Sequence, residues 1–220
     1  MAQLIEFPRR MAWPVHSVDD YGRDPHLVSA LGPLARLRWD VSVGGTQHLP
    51  ISGGALLVSN SRRWALNCVW AAWALSQTVD RPVRFVGRPD IAPIGPFMRR
   101  IGGLLDDATE VQGALEAHEL VIISTSPTSH PRHAGTVSHD LVGAAVRAGV
   151  PVFPVATMSS TLGRSARAEV GSPVRPRRKR RGPLAEVELA DQVQYQLQRM
   201  LDAFGGMQTG VAPIDWLAEG

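Results

Sequence analysis

The stretch ALLVSNSRRWALN, Ala55 to Asn67, decides how this chain is read. Its first half is a short apolar run with the composition of a buried strand, and it delivers an Asn, Asn60, and then a small residue, Ser61. Its second half opens Ala65 to Gln77, an apolar segment of helical length carrying Trp70 and Trp73. A strand that hands an Asn and a small residue to the mouth of a helix has the layout of a catalytic strand-to-helix turn. Here neither a base nor a carboxylate follows.

The same strand and helix alternation extends outward. Upstream, Asp24 before Pro25 is an N-cap followed by a first-turn proline, and Leu27, Leu31, Leu34 and Leu37 then recur at helical spacing, which predicts an amphipathic helix. The run WDVSVGG is a strand, joined to ALLVSN through Pro50 and a Gly53-Gly54 turn. Downstream come a strand at 83–87, a short helix at 96–102, a helix at 110–118 and a strand at 120–124. A helix at 139–149, a strand at 151–157, a further strand RAEVGSPV and a closing helix from Leu184 to Phe204 complete the order. Continuous apolar strands between helices imply an α/β fold: a single domain whose mostly parallel or mixed sheet is covered by helices on both faces. The expected divisions are an N-terminal extension over 1–20, the domain over 21–204 and a tail over 205–220.

Composition supports a packed core, with 220 residues, 44% of them hydrophobic, and 6 Trp. No long apolar span and no export-signal layout is present, so the expected location is cytoplasmic. The lone Cys68 lies in the apolar helix and is expected to be a buried hydrophobe. The net charge of +3 is lopsided. Arg175, Arg177, Arg178, Lys179, Arg180 and Arg181 form the run RPRRKRR, and the other 17 basic residues against 20 acidic ones leave the remainder at −3. Such a run suits phosphate. Without an aromatic residue to stack a base it favours an anionic membrane surface, on the inner face of the cell membrane, over nucleic acid. A solvated loop is the alternative.

Five stretches in order resemble the glycerophospholipid acyltransferase family, over roughly Tyr21 to Phe204: LPISGGALLVSN, RPVRFVGRPDIAPIGPFMRRIGG, HELVIIS, AGVPVFPVAT and AEVGSPV. The resemblance implies an acyltransferase-like domain that meets an acyl thioester and a lysophospholipid. It also implies a His as general base, held by an Asp five residues on. Those positions are Ser61 and Leu66. The family's phosphate-gripping run is replaced by Ser124, Thr125, Ser126, Pro127, Thr128, Ser129 and His130, in which only the Thr survives. GGLLDD also lacks the Arg that closes the second block. No catalytic residue, cofactor or metal is therefore assigned, and the fold is expected to be kept while the chemistry is lost.

Candidate ligand contacts are Ser61, Arg62, Arg63, Ser126, Thr128 and His130, for a lipid or acyl-chain ligand; a protein partner is left open. Arg62 and Arg63 suit an anionic headgroup at a helix start, or else pair with Asp107 or Glu110. Arg99 and Arg100 are expected on a solvated face. A hydrolase built from Ser124 or Ser126 with His133, His139 and Asp140 lacks the nucleophile elbow, and Ser138 is better explained as a helix cap. His130 and His133 lack a third ligand for zinc. Trp70 and Trp73 are expected in the core, and Trp64 at an interface. The alternatives are an active acyltransferase using His130 or His133 as a non-standard base, and an interaction scaffold with a closed groove.

Overall fold

In the computed structural model, which describes residues 18–62, 66–130, 132–160, 163–175 and 182–204, the strands expected from the sequence join one seven-stranded sheet. Arg63, Trp64 and the run from Arg177 to Arg181 lie outside the described residues. The strands are β1 (Asp40–Gly44), β2 (Ala55–Ser59), β3 (Val83–Val86), β4 (Gly103–Leu104), β5 (Leu120–Ser124), β6 (Val152–Ser159) and β7 (Ser165–Val170). Their spatial order is β1-β7-β6-β2-β5-β3-β4. Pairing is parallel from β6 through β2, β5 and β3 to β4, β7 runs antiparallel to β6, and β1 is parallel to β7. The helices are α1 (Pro25–Arg38), α2 (Asn67–Val79), α3 (Ile94–Arg100), α4 (Ala108–Glu116), α5 (His139–Ala148) and α6 (Pro183–Ala203).

Strand alternation sends side chains to two cores. Leu56 and Val58 of β2 join Val121 and Ile123 of β5 in a cluster with Val111, Leu115, Leu141, Val142, Leu189 and Val193, so α4, α5 and α6 cover that face. Leu57 joins Leu120, Ile122 and Phe153 on the other face, against Cys68, Trp70, Ala71 and Leu75 of α2. Both strand faces being buried is why β2 and β5 read as unbroken apolar runs. Pro154 is tolerated inside β6 because antiparallel pairing with β7 begins one residue later, at Val155.

The segment before α1 is hooked onto the sheet edge. Arg84 of β3 is fully buried; its Nη2 bonds Asp19 at 2.6 Å and Glu119 at 3.0 Å, and its guanidinium lies 4.8 Å from the centroid of the Tyr21 ring. Asp24 caps α1, accepting from the N–H groups of His26 and Leu27, and also accepts from Arg100 at 2.8 Å. Arg99 donates to the Tyr21 carbonyl. These two arginines therefore tie the hook to α3, where a solvated face was expected.

α1 also departs from its expected role. Leu34 and Leu37 are 62% and 69% exposed, Leu27 and Leu31 only half-buried, and Gly32 is the one buried residue of the helix. Its apolar stripe is real, but it is not packed down. The helix is pinned near its two ends, by Asp24 with Arg100 and by Arg38 and Arg36 against the β6–β7 connection, where Arg38 donates to the Gly163 carbonyl and Arg164 to the Arg36 carbonyl.

Candidate functional site

Among the described residues, two places where helices part from the sheet differ in kind. The first follows from topology: β2 leads into α2 on one face and its neighbour β5 leads into α5 on the other, which leaves a crevice at the carboxyl ends of these strands. The Asn60–Ser61 turn and the loop after Ser124 meet there.

That crevice is filled with its own hydrogen bonds. Asn60, 3% exposed, donates from Nδ2 to the Thr157 carbonyl at 2.8 Å and accepts at Oδ1 from the Thr157 N–H at 2.7 Å, so its amide extends the β2–β6 pairing by one rung. Thr157 Oγ1 adds a bond to Asn60 Oδ1 at 2.9 Å, Asn67 Nδ2 donates to Thr157 Oγ1 at 3.3 Å, and Trp70 Nε1 donates to Asn67 Oδ1 at 3.3 Å. This closed relay leaves Asn60 a structural clamp.

Ser61 is laced in from the other side. Its N–H donates to Thr125 Oγ1 at 3.1 Å, and its carbonyl accepts from the Thr128 N–H at 3.1 Å and from Thr128 Oγ1. Thr125 is itself buried, and its hydroxyl donates to the Ala134 carbonyl. Arg62 bridges the backbone of Thr128 in parallel register. Thr128 and Ser126 thus do reach the Ser61 turn or its loop, but through loop-closing bonds; Ser126 Oγ accepts from the Thr136 N–H at 2.7 Å. Leu66 stands at the N-cap of α2, 57% exposed, with no side-chain bond to the helix.

The histidines lie on the outer side of the loop. His130 and His133 are both exposed, their rings edge to face at 5.4 Å, and His130 Nδ1 accepts from the Arg132 N–H. Among the described residues no hydrogen bond joins either ring to Ser61. Ser138 caps α5, accepting from the Leu141 N–H, as its position suggested, and no bond joins Ser124 or Ser126 to His133 or His139. Glu110 and Asp107, the anticipated partners of Arg62 and Arg63, are engaged elsewhere: Glu110 pairs with Arg88 and Asp107 caps α4. Arg175 is exposed at the end of the described strand region. Cys68 is buried, and burial pushes its thiol up to about 11, so it is no nucleophile.

The second place was not anticipated. A cavity of about 270 Å³ lies under α1, between its Val28, Leu31, Leu34 and Ala35 and the Val69, Trp70, Ala72 and Trp73 side of α2, with Val83 and Phe85 of β3 on its wall. Trp73, expected in the core, is half-buried because it faces this space. Arg23 stands where the hook meets α1, Arg38 is its last residue, and Trp39 caps its far end. The available signal was the leucine stripe of α1 set against a helix too rich in tryptophan to satisfy with the sheet alone; nothing local marks Arg23.

Comparisons agree with this geometry at the level of fold. No protein-family model matches the chain, and no curated protein matches it in sequence. Among solved structures, the chain is similar to the crystal structure of the 1-acyl-sn-glycerophosphate (LPA) acyltransferase PlsC from Thermotoga maritima. The TM-score is 0.61 at 19% identity, over 81% of this chain and 79% of that one. The chain has an acyltransferase-like α/β fold.

Proposed function

We propose that this protein is an acyltransferase-like lipid-binding protein that does not transfer acyl groups. One observation carries the reading: at the turn where the resembling family sets its base, both backbone groups of Ser61 are tied to Thr125 and Thr128, and Leu66 replaces the orienting carboxylate. A serine hydroxyl without a base titrates too high to take a proton near neutral pH. The exposed rings of His130 and His133 supply no substitute. A lipid or acyl ligand is supported by the apolar cavity under α1. The run from Arg175 to Arg181 supports attraction to an anionic membrane surface, which needs no spanning helix; among the described residues no helix is long and apolar enough to cross one.

The test is direct. Purified protein incubated with an acyl thioester and lysophosphatidic acid releases no thiol above background. Thiol release that disappears in Ser61→Ala, or in His130→Ala or His133→Ala, would overturn the reading. Sedimentation with anionic vesicles, lost when Arg177, Arg178, Lys179, Arg180 and Arg181 are replaced by Ser, checks the membrane part.

A further inference from the structure

We propose that the cavity under α1 is a binding site for a single-chain amphiphilic carboxylate, a free fatty acid in chemical class, with the chain lying along α1 and the carboxylate at Arg23. The proposal rests on the lipid-binding reading above and specifies its site and ligand, which lie apart from the Ser61 turn.

Shape comes first. α1 has 14 residues and so spans about 21 Å at about 1.5 Å per residue. It is fastened near both ends, and the cavity lies beneath it between them. Its volume of about 270 Å³ sits at the lower edge of the roughly 300–1,000 Å³ of ligand pockets, room for one chain and too little for two. The walls are Val28, Leu31, Trp73, Val83 and Phe85, with Trp39 at the far end.

Charge supplies the polarity. Arg23 is half-buried at one end of this apolar space, and among the described residues its guanidinium has neither a hydrogen bond nor an ion pair. The acidic groups that act on it, Asp19 and Glu119, are both committed to Arg84. Burial, and then repulsion from Arg84, pull the Arg23 guanidinium below its ordinary value, with Asp19 and Glu119 opposing. An arginine fork matches a carboxylate in two-point geometry, and the apolar walls exclude a hydrated inorganic anion from the rest of the cavity. A carboxylate carried on an alkyl chain satisfies both ends at once.

Dodecanoate is the probe, with dodecanol as its neutral counterpart, and quenching or shift of tryptophan emission from Trp39, Trp70 and Trp73 is the signal, with stoichiometry from native mass spectrometry. One dodecanoate per chain is expected. Arg23→Met should weaken dodecanoate by about ten- to a hundredfold, the range of a hydrogen bond to a charged group, and leave dodecanol unchanged. Leu31→Trp, which fills the cavity from the half-exposed roof, should abolish both. Thermal melts of each variant report folding, and Arg23→Met should melt no lower than the native protein, because no hydrogen bond or ion pair of the guanidinium is lost. The proposal is overturned if the native protein binds no dodecanoate, if Arg23→Met binds it as tightly, or if Leu31→Trp binds while folded. Those outcomes leave the absence of thioester turnover untouched, whereas turnover that depends on Ser61 would sink the functional reading and not this site.

Discussion

The crevice at the carboxyl ends of β2 and β5 and the seam between α1 and α2 both lie where helices part from the sheet. In the crevice the buried polar groups bond one another: Asn60 on Thr157, Thr125 on Ser61, and Thr128 on Ser61 and the His130 and His133 carbonyls. Under α1 the surfaces are apolar and do not meet, and among the described residues the Arg23 guanidinium at the edge makes no hydrogen bond or ion pair. A ligand entering the crevice would have to break bonds that already exist. A ligand entering the seam would replace empty space.

The contrast predicts opposite responses to substitution. The largest is at Asn60: Asn60→Ala strands the N–H and carbonyl of Thr157 in the core and should cost about 3 kcal/mol in urea unfolding, at about 1–3 kcal/mol per unsatisfied group. Thr125→Val keeps the shape but orphans the Ser61 N–H and the Ala134 carbonyl, for a loss of about 2 kcal/mol by the same reasoning, and Thr125→Ser should recover most of it. A crevice that tolerates both is not held closed as described. On the α1 side the sign reverses. Gly32→Ala adds a methyl into open space within a helix and should stabilise by about 0.5–1 kcal/mol; destabilisation would show that face of α1 to be tightly packed.

Smaller effects sharpen the same picture. Leu66→Asp supplies the missing N-cap of α2 and should raise stability by about 0.5 kcal/mol without conferring thiol release, since a cap alone restores no base. The α1 fastening answers to acid. The Asp24 carboxyl is held below the usual carboxylate range by the Leu27 N–H first, and then by Arg100 and the His26 N–H against the opposing effect of burial. Its stabilisation is therefore complete above the unfolded carboxylate's value of about 4 and is lost as pH falls through the lower folded value. Asp24→Asn should flatten the acid limb of the stability profile, as followed by circular dichroism.

Much of the fold was legible because the strong signals were local. Unbroken apolar strands such as LVIIS placed β5 residue for residue, and Asp24 and Ser138 cap their helices as expected, whereas the Asp107 cap of α4 was not anticipated. β4 escaped because two residues make no pattern; it pairs with β3 where Gly103 lies close against the Met98 carbonyl and the Phe85 ring. Periodicity located the α1 stripe but cannot say whether a stripe finds a partner, so Leu34 and Leu37 came out exposed. The arginines misled for a related reason: Arg84, Arg99 and Arg100 look alike in sequence, and only tertiary contacts with Asp19, Tyr21 and Asp24 distinguish them. The Ser61 turn could be seen to lack its base and carboxylate, but the lacing by Thr125 and Thr128 joins residues more than sixty positions apart, beyond any local pattern.

The most direct test asks which of the two places holds a lipid. The protein and its Ser61→Ala and Leu31→Trp variants, purified without detergent, would be supplied with one equivalent of dodecanoate and measured by native mass spectrometry. The account predicts one adduct per chain in the native protein and in Ser61→Ala, and none in folded Leu31→Trp. An adduct that survives in Leu31→Trp and vanishes in Ser61→Ala would contradict it.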